Sequence, residues 1–333
     1  MIILVTGAAG FIGFHLVKRL LKEGNIIVGI DNLNDYYDVR LKLERVRQLE
    51  DSEWSSDFKF IKMDLADRER LQSLFEKEQF DIVVNFGGQA GVRYSIENPY
   101  TYIDCNIMGF MNILECCRHY PVKHLLYCSS SSVYGGNTKV PFSEDDRVDS
   151  PVSLYAATKK SNELMAYVYN HLFGIPTTGL RFFTVYGPWG RPDMAYYSFT
   201  EKLLRGEKIK IFNYGNCKRD FTYVDDIVEG IYRVMKRIPN QAMVYNIGNS
   251  HPESLLDFVN ILQEELVRVG LLPADYDFAA HQELVPMQPG DVPVTYADTS
   301  KLEADVGFKP ATSLRDGLRS FVEWYAWYKG LVH

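Results

Sequence analysis

The sequence predicts an α/β protein with a parallel, doubly wound sheet and a smaller C-terminal lobe. Short apolar runs alternate with helical patterns through the first half, and a glycine-rich turn joins the first run to the first helix. Such alternation is typical of parallel sheets, whose ligands bind at the carboxyl ends of the strands. We expect a Rossmann-type domain with the catalytic residues over 1–185. The lobe over 186–333 should be mainly substrate-binding, with some segments returning to the first domain.

The predicted elements can be placed in order along the chain. Buried strands are predicted at 2–5, 26–30, 58–63, 82–86 and 124–128, and amphipathic helices at 11–22, 100–120 and 154–173. After about residue 185 the alternation weakens, and a loop of breaker residues follows at 187–192. Further helices are predicted near 194–205, 224–237, 254–268 and 313–329, with short strands between them.

The composition is that of a globular protein and argues against several classes of function. A net charge of -7 gives no support to nucleic-acid binding, which favours a basic patch. No segment approaches the roughly 20 apolar residues of a membrane span, and no signal-peptide pattern is present, so we expect a cytoplasmic protein. The five cysteines form no CxxC pair and the seven histidines show no ligand spacing, which indicates reduced thiols and no metal site.

A GxxGxxG motif directly after the first strand indicates a dinucleotide site. The motif reads Gly7-Ala8-Ala9-Gly10-Phe11-Ile12-Gly13. Its glycines let the backbone approach a pyrophosphate, and the following helix N-terminus offers free N–H groups and the positive end of a dipole. Glycine triplets alone are weak evidence in a chain with 24 glycines, so the strand–turn–helix context carries the prediction.

Acidic residues follow the next two strands. Asp31 ends the second strand, and a carboxylate there can accept hydrogen bonds from both ribose hydroxyls of NAD while repelling the 2′-phosphate of NADP. The alternative is an ordinary turn aspartate before Asn32. Asp64 and Leu65 follow the third strand, where an adenine ring would lie, and the alternative for this pair is a helix N-cap.

Tyr155 and Lys159 are the predicted catalytic pair, one helical turn apart on one face. A tyrosine hydroxyl is a poor base near neutral pH because its reference pKa is about 10. A nearby ammonium and an oxidised nicotinamide favour the phenolate. The phenolate can then accept a proton from a sugar hydroxyl while hydride leaves for NAD.

The YxxxK spacing is not specific by itself. It recurs at Tyr214/Lys218, Tyr232/Lys236 and Tyr325/Lys329. Only Tyr155/Lys159 follows a serine-rich turn at the end of the fifth predicted strand, at 129–135. A hydroxyl in that turn could bond the reacting oxygen and relay its proton, and the alternative is a polar loop with no partner in Tyr155.

Together these residues resemble the extended short-chain dehydrogenase/reductase superfamily, over nearly the whole chain. Three longer strings are similar to the UDP-glucuronate 4-epimerases within it: QAGVRYS at 89–95, RFFTVYGPWGRPDMA at 181–195 and PMQPGDVP at 286–293. The resemblance implies a tightly bound, recycled NAD and a UDP-sugar substrate. It also implies a homodimer paired through the helices at 100–120 and 154–173.

The resemblance implies roles for individual residues. Ser130, four residues before Tyr134, would be the catalytic hydroxyl. NAD contacts are implied for Gly7, Gly10, Phe11, Ile12, Gly13, Asp31, Asn32, Asp64, Leu65, Gln89 and Lys159. UDP-sugar contacts are implied for Arg93, Ser130, Ser131, Ser132, Tyr155, Thr184, Arg191, Arg219, Gln288 and Asp291.

Charged members of the implied substrate set have more specific roles. Arg219 would contact the nucleotide diphosphate or ribose, and Asp291 the uridine ribose or a neighbouring residue. Arg93 and Arg191 are the arginines best suited to anionic groups, because a guanidinium fork matches a carboxylate or phosphate. The alternative for each arginine is a structural salt bridge.

One stretch departs from the superfamily pattern. The fourth strand usually ends in His-x-Ala-Ala before Gln-Ala-Gly, whereas this chain has Asn85-Phe86-Gly87-Gly88. Asn85 can still form hydrogen bonds and the glycines can still approach a cofactor, but we expect a looser backbone. No predicted catalytic group is lost, so we expect activity to remain.

The residues after Ser130 favour epimerisation among three reactions that all begin by oxidation at C4 of a hexose. Dehydratases carry Asp-Glu directly after the catalytic hydroxyl and UDP-xylose-forming decarboxylases carry Glu first, whereas this chain has Ser131 and Ser132. We predict an isomerase that interconverts UDP-glucuronate and UDP-galacturonate for surface polysaccharide precursors. The alternatives are a 4-epimerase of UDP-glucose and UDP-galactose or N-acetyl sugars, a decarboxylase, a dehydratase, and a non-catalytic NAD-binding regulator.

A uronic acid substrate poses a chemical problem that Arg191 could solve. A 4-keto uronic acid is a β-keto acid and tends to lose carbon dioxide. We expect Arg191 to hold the carboxylate against that path, with Ser131, Ser132 and Thr184 nearby.

Overall fold

The computed structural model describes residues 1–287 and 292–331 and has the predicted α/β architecture. Every strand predicted for the first half is present, with ends that differ by at most two residues. In chain order the strands are β1 (Ile2–Thr6), β2 (Ile26–Asp31), β3 (Phe58–Lys62), β4 (Ile82–Asn85), β5 (His124–Ser130), β6 (Thr177–Phe182), β7 (Thr184–Tyr186), β8 (Ile209–Ile211), β9 (Lys218–Tyr223), β10 (Met243–Ile247), β11 (Pro252–Ser254), β12 (Gln282–Leu284) and β13 (Val294–Thr295).

The helices surround these strands. They are α1 (Phe11–Lys22), α2 (Val39–Glu50), α3 (Arg68–Glu78), α4 (Tyr94–Glu97), α5 (Pro99–Tyr102), α6 (Gly109–His119), α7 (Leu154–Phe173), α8 (Ala195–Leu204), α9 (Val224–Lys236), α10 (Leu255–Arg268), α11 (Ser300–Val306) and α12 (Leu314–Tyr328). Short 3₁₀ turns lie at Ser55–Asp57, Ser131–Tyr134, Phe212–Gly215 and Ala279–His281. The predicted helices at 11–22 and 154–173 have the bounds of α1 and α7.

Seven strands form one parallel sheet in the order β3-β2-β1-β4-β5-β6-β10. The strand order reverses between β1 and β4, and a crevice forms at such a reversal beyond the carboxyl ends of the strands. Thr6 at the end of β1 pairs with Ile30 on β2 and with Asn85 on β4. The ends of these strands therefore meet at one edge of the sheet.

Side chains along β1 alternate between two cores. Ile3 and Val5 belong to one core, Leu4 belongs to the other, and all three are fully buried. Residues of α1, α2 and α9 complete the first core, and residues of α3, α6 and α7 complete the second. A parallel sheet covered on both faces explains why its strands read as continuous apolar runs.

The second half of the chain contributes to both parts of the molecule. β9 pairs with β7, β11 and β13 in a small sheet, and β8 pairs with β12. β10 returns to the central sheet and pairs in parallel with β6. Because β7 spans 184–186, the predicted boundary at 185 falls inside a strand of the small sheet, and the two-part division stays a prediction.

The helix predicted over 100–120 is present and continuous, but it is not α-helical throughout. A π-helical segment, Ile103–Met108, separates α5 from α6. Such segments are rare and frequently occur at functional sites. This one contains the buried Asn106, whose side-chain contacts are described below.

Four helices of the described residues were not predicted: α2, α3 and the shorter α4 and α11. The N-caps of α2 and α3 nevertheless follow ordinary rules. The Asp38 side chain accepts from Arg40 N at the start of α2, and the Asp67 side chain accepts from Arg70 N at the start of α3. Both helices are rich in charged residues, which weakens their apolar periodicity.

In the described part of the chain, no helix is both long enough and apolar enough to cross a membrane.

Candidate active site

A cleft of about 460 Å³ opens at the carboxyl edge of the central sheet. Its walls come from the ends of β1, β2, β4, β5 and β6, from the start of α1 and α7, and from the loop that contains Arg191. Every residue predicted to contact NAD lines it: Gly7, Gly10, Phe11, Ile12, Gly13, Asp31, Asn32, Asp64, Leu65, Gln89 and Lys159. So do six of the predicted substrate contacts: Ser130, Ser131, Ser132, Tyr155, Thr184 and Arg191.

The glycine turn is packed too closely for side chains. A Cβ on Gly7, whose φ is +69°, would lie 2.8 Å from the backbone N of Gly87, and one on Gly13 would lie 2.1 Å from the Gly7 carbonyl oxygen. Gly10 caps α1 without a side chain, and the first-turn N–H groups of an α-helix have no intrahelical partner. These groups belong to residues that line the cleft, so the turn can accept an anionic group.

Asp31 lies at the end of β2, and its Oδ1 accepts a hydrogen bond from Leu33 N at 2.8 Å. Burial raises the pKa of the Asp31 carboxyl, although Lys42 and the Leu33 N–H oppose the shift. Hydroxyl donors from a ribose would favour its charged form.

Asp64 does not cap a helix, because Asp67 caps α3. Asp64 Oδ2 accepts from Asn32 Nδ2 at 2.9 Å, and its Oδ1 accepts from Ala66 N at 2.8 Å. The N-cap alternative for Asp64 is therefore wrong. The side chain instead joins the ends of two neighbouring strands at the rim of the cleft.

The catalytic pair lies at the start of α7. The Ser153 side chain accepts from Ala156 N at 3.1 Å, so the helix begins just before Tyr155. The Tyr155 ring packs edge-on against Tyr102, with ring centroids 6.1 Å apart. Lys159 Nζ lies 6.0 Å from the centre of the Tyr155 ring. Both residues and Ser130 face the same cleft.

Lys159 is held from behind by β5. Its Nζ donates to the Cys128 carbonyl oxygen at 3.1 Å and lies 3.3 Å from Cys128 Sγ. Burial works against the ammonium, but Cys128 and the Tyr155 hydroxyl favour it, and the pKa of Lys159 is raised above its ordinary value. The side chain is thus a cation fixed beside the tyrosine.

None of the other three YxxxK pairs lines the cleft within the described residues. Tyr232 is buried and its hydroxyl bonds Glu23, and Lys236 lies over its ring. The position of Tyr155 after the serine turn, and not the spacing, distinguishes the catalytic candidate.

A buried ion pair lies behind the serine turn. Arg181 Nε and Nη2 donate to the two carboxylate oxygens of Glu163 at 2.8 and 2.9 Å, and Ser129 Oγ donates to Glu163 Oε1 at 2.7 Å. Arg181 Nη1 also donates to the Tyr134 hydroxyl at 3.0 Å. Burial works against the ionised carboxyl, yet the Arg181 guanidinium outweighs it, so the pKa of Glu163 lies below its ordinary value.

This network was missed from the sequence. Glu163 lies four residues after Lys159 on α7, and that spacing on one helix face was the available signal. The network joins β5, β6 and α7 directly behind Ser130.

Asn106 forms hydrogen bonds directly after the stretch at 85–88, which departs from the superfamily pattern. Gln89 N donates to Asn106 Oδ1 at 2.8 Å, and Asn106 Nδ2 donates to the Gln89 carbonyl and to Thr158 Oγ1, both at 3.0 Å. The π-helical segment directs this side chain between β4 and α7. It was also missed, because π-helical segments have no simple sequence signature.

The two glycines of that stretch are tightly packed. A Cβ on Gly87 would lie 2.8 Å from Leu65 Cδ1, and one on Gly88 would lie 2.7 Å from Asn106 Oδ1. Gly87 N donates to Thr6 Oγ1, which in turn donates to Asn85 Oδ1. The expectation of a looser backbone is wrong, because hydrogen bonds hold the stretch and it lacks room for the usual alanine methyl groups.

Arg191 lines the cleft and already has a partner. Its Nε and Nη2 donate to the two carboxylate oxygens of Asp193 at 3.0 and 2.9 Å. The salt bridge weighed as an alternative is thus present, but Arg191 still lines the cleft, and the hydrogen bonds to Asp193 use Nε and Nη2 and not Nη1.

The remaining predicted substrate contacts lie elsewhere. Arg93 is exposed and lies over the Phe212 ring, and Arg219 donates to the carbonyl oxygens of Lys218 and Pro293. Neither lines the cleft. Gln288 and Asp291 lie outside the described residues. The substrate roles of these four residues stay predictions.

Residues 4–321 match the sequence model of the GDP-mannose 4,6-dehydratase family. The chain belongs to this family. Relatives include Protein CapI of Staphylococcus aureus, 50% identical over 98% of this chain and 99% of its own length. UDP-glucuronate 4-epimerase 4 of Arabidopsis thaliana is 46% identical over 98% of this chain and 76% of its own length.

Solved structures extend the comparison within this family. UDP-glucuronic acid 4-epimerase from Bacillus cereus, crystallised with UDP-glucuronic acid and NAD, is 35% identical over all of both chains with a TM-score of 0.88. UDP-glucose 4-epimerase from Thermotoga maritima, crystallised with UDP-glucose, is 30% identical over all of both chains with a TM-score of 0.86. The predicted fold class and the resemblance to 4-epimerases are confirmed by these matches.

Proposed function

We propose that the protein is an NAD-dependent 4-epimerase that interconverts UDP-glucuronate and UDP-galacturonate. The observation that carries the proposal is the convergence of Ser130, Tyr155 and Lys159 on one cleft that also contains the glycine turn and Arg191. Two serines, and no acid, follow Ser130. Relatives named UDP-glucuronate 4-epimerase, among them that of Arabidopsis thaliana, support the same substrate.

The residues of the cleft fit NAD. The glycine turn leaves no room for side chains where a pyrophosphate would approach, and the first turn of α1 offers unpaired N–H groups. The partly buried Asp31 carboxylate suits two ribose hydroxyls and disfavours an added 2′-phosphate. When bound, NAD would accept and later return the hydrogen and electron pair of the sugar C4.

The chain supplies the acid–base chemistry. As the C4–H bond breaks, the Tyr155 oxygen accepts the proton of the 4-hydroxyl, and the C4–O bond becomes a carbonyl. The Lys159 ammonium stabilises the phenolate by charge, and the Ser130 hydroxyl can donate a hydrogen bond to the reacting oxygen. After the keto sugar rotates, Tyr155 returns the proton to the C4 oxygen, and the hydride returns to the other face of C4.

The uronate carboxyl must be kept from leaving as carbon dioxide. Arg191, Ser131, Ser132 and Thr184 line the same cleft and offer one guanidinium and three hydroxyls. We propose that they hold the bond between C5 and the carboxylate carbon close to the plane of the C4 carbonyl, so that the electrons of that bond cannot overlap with the carbonyl π orbitals. No carboxylate in the serine turn is available to promote dehydration or decarboxylation.

We further propose a homodimer paired through α7 and the segment around α4 and α5. Large apolar side chains are exposed there: Ile96, Tyr100, Leu164, Tyr167 and Leu172 are 78%, 80%, 56%, 63% and 62% exposed. Exposed large apolar side chains grouped on neighbouring helices favour an interface. Sedimentation should give twice the 38.3 kDa of one chain, and L164E/L172E should give a monomer. A monomeric wild-type protein would refute the pairing.

All five cysteines are free. Free thiols persist in a reducing compartment, which supports a cytoplasmic location. Localisation of a tagged full-length chain by cell fractionation tests this assignment.

The function is tested by supplying purified protein with UDP-glucuronate and following UDP-galacturonate by chromatography. Formation of the epimer without a net change in NAD is the expected result. UDP-galactose serves as the neutral comparison, and equal turnover of both sugars would favour the neutral-sugar epimerase instead. Release of UDP-pentose as the main product would indicate a decarboxylase.

A further inference from the structure

Arg45 on α2 is a fully buried cation whose contacts are carbonyl and hydroxyl oxygens. Its Nη1 donates to the Ala9 carbonyl at 2.8 Å and to the Tyr37 hydroxyl at 2.7 Å. Its Nη2 donates to the Trp189 carbonyl at 2.6 Å and to the Gly190 carbonyl at 3.3 Å. Among the described residues, none of its hydrogen bonds is to a carboxylate, although buried cations are usually paired with one.

The acceptors belong to two different parts of the site. Ala9 lies inside the glycine turn, between the two glycines that begin it. Trp189 and Gly190 immediately precede Arg191 in a loop that packs beside the start of α1, through His15 and Phe14. One planar guanidinium therefore ties the cofactor turn to the loop that presents Arg191.

The backbone of that loop needs to be held. Trp189 has a φ of +61°, in the left-handed region that costs a non-glycine residue energy. A Cβ on Gly190 would lie 1.9 Å from the Tyr196 hydroxyl, so this backbone is pressed against α8. The Trp189 ring packs against Phe14 of α1 and Trp324 of α12, with ring centroids 5.3 and 5.2 Å apart.

We infer that Arg45 is a positioning residue that couples the cofactor turn to the placement of Arg191. The guanidinium fixes the carbonyl groups of the two peptides that flank Gly190, the second of which joins Gly190 to Arg191. Its charge, which no hydrogen-bonded carboxylate among the described residues neutralises, also lies beside the turn that suits a diphosphate, and so favours anion binding there. The effect on Arg191, the carboxylate half of this inference, rests on the proposed function. The effect on the glycine turn, the cofactor half, does not.

The test compares an anionic with a neutral sugar nucleotide. Calorimetry on NAD-loaded protein gives affinities for UDP-glucuronate and UDP-glucose in wild type, Arg45→Lys, Arg191→Leu and the double variant. Lysine keeps the charge but lacks the planar fork. We expect Arg45→Lys to weaken UDP-glucuronate binding about tenfold and UDP-glucose binding less than about twofold.

Non-additivity identifies the route of the effect. If Arg45 acts through Arg191, the double variant should bind UDP-glucuronate no more weakly than Arg191→Leu alone. Additive losses, or equal losses for the two sugars, would mean that Arg45 only stabilises the fold and would overturn the inference. Arg47→Lys is the matched control, because Arg47 is exposed on the same helix and pairs with Glu44.

A separate titration with NAD and no sugar tests the cofactor half. Arg45→Gln, which removes the charge, should weaken NAD binding several-fold, and unchanged NAD affinity would overturn this half even if the protein acts on another sugar. If the wild type binds UDP-glucose with the same affinity as UDP-glucuronate and epimerises only UDP-glucose, the proposed function would instead be refuted. Should Arg45→Lys fail to fold, Tyr37→Phe removes one acceptor from the same nitrogen. Tyr37→Phe should weaken UDP-glucuronate binding about threefold more than UDP-glucose binding. Equal losses for the two sugars would overturn the coupling.

Discussion

The wall of the cleft that carries Tyr155 and Lys159 is built from β5 and α7, whereas the opposite wall, which carries Arg191, is a loop. The first is fixed from behind by a buried ion pair, Glu163 with Arg181. The second is fixed by carbonyl contacts to Arg45 and by aromatic packing. Proton transfer needs atoms held within hydrogen-bond reach, and regular elements supply that precision. Recognition of a sugar that must rotate requires directional contacts. A loop can supply them, and its side chains can change without disturbing the sheet.

Tyr155→Phe tests the catalytic wall and should have the largest effect. Loss of the proton-accepting oxygen should lower turnover by about 10²–10⁴-fold, the usual contribution of a positioned acid–base group. Steady-state kinetics with UDP-glucuronate measures the loss, and NAD binding should remain because the ring is retained. Full turnover in this variant would contradict the mechanism.

Glu163→Gln tests whether the ion pair supports that wall. It leaves the Arg181 guanidinium buried without a charge partner, which should cost about 3–5 kcal/mol of unfolding free energy. Urea denaturation measures the change. Glu323→Gln, which removes an exposed pair with Arg268, is the control and should cost about 1 kcal/mol or less. Equal effects of the two substitutions would show that the buried pair has no special role.

The same pair predicts a pH dependence. Because the pKa of Glu163 in the folded protein lies below its ordinary value of 4.5, its contribution is fully present above about pH 4.5 and is lost as the pH falls through the folded-state pKa. Unfolding midpoints of wild type and Glu163→Gln should therefore converge as the solution is acidified below that value. A constant difference down to strongly acidic pH would assign the effect to packing.

Arg191→Leu tests the loop wall, with a smaller expected effect. Turnover of UDP-glucuronate should fall about 10–100-fold, as expected for loss of one charged contact of 1.4–2.7 kcal/mol, and some UDP-pentose should form. Chromatography of the products gives both quantities. Unchanged kinetics without pentose would remove Arg191 from carboxylate binding.

Asp193→Asn should have the smallest effect. It removes the charge that now neutralises Arg191 but retains a hydrogen-bond acceptor, so the KM for UDP-glucuronate should change by no more than about fivefold, in keeping with a partly exposed pair. A decrease would mean that Asp193 competes with the substrate, and an increase would mean that it orients the guanidinium. A change as large as that of Arg191→Leu would show that the two residues act as one unit.

The sequence predicted the first five strands of the central sheet because they are buried on both faces and read as apolar runs, but it missed β6. It also predicted that the candidate cofactor residues share one cleft, since they follow strand ends and strand ends meet at one edge. It could not locate the hydrogen bonds of Asn106 or the contacts of Arg45. Both depend on residues distant in sequence: Asn106 joins Gln89 to Thr158, and Arg45 joins Ala9 to Trp189. Neither partner choice follows from local periodicity.

The return of β10 to the central sheet has a consequence for how the protein can be made and divided. β6 is complete at Phe182, yet its neighbour is not synthesised until residue 243. A chain that ends at the predicted boundary would leave β6 as an open, apolar sheet edge, which invites pairing with other chains. Residues 1–185 expressed alone should therefore be recovered as aggregate. During synthesis of the full chain, the β6 edge must stay covered while the next sixty or so residues emerge.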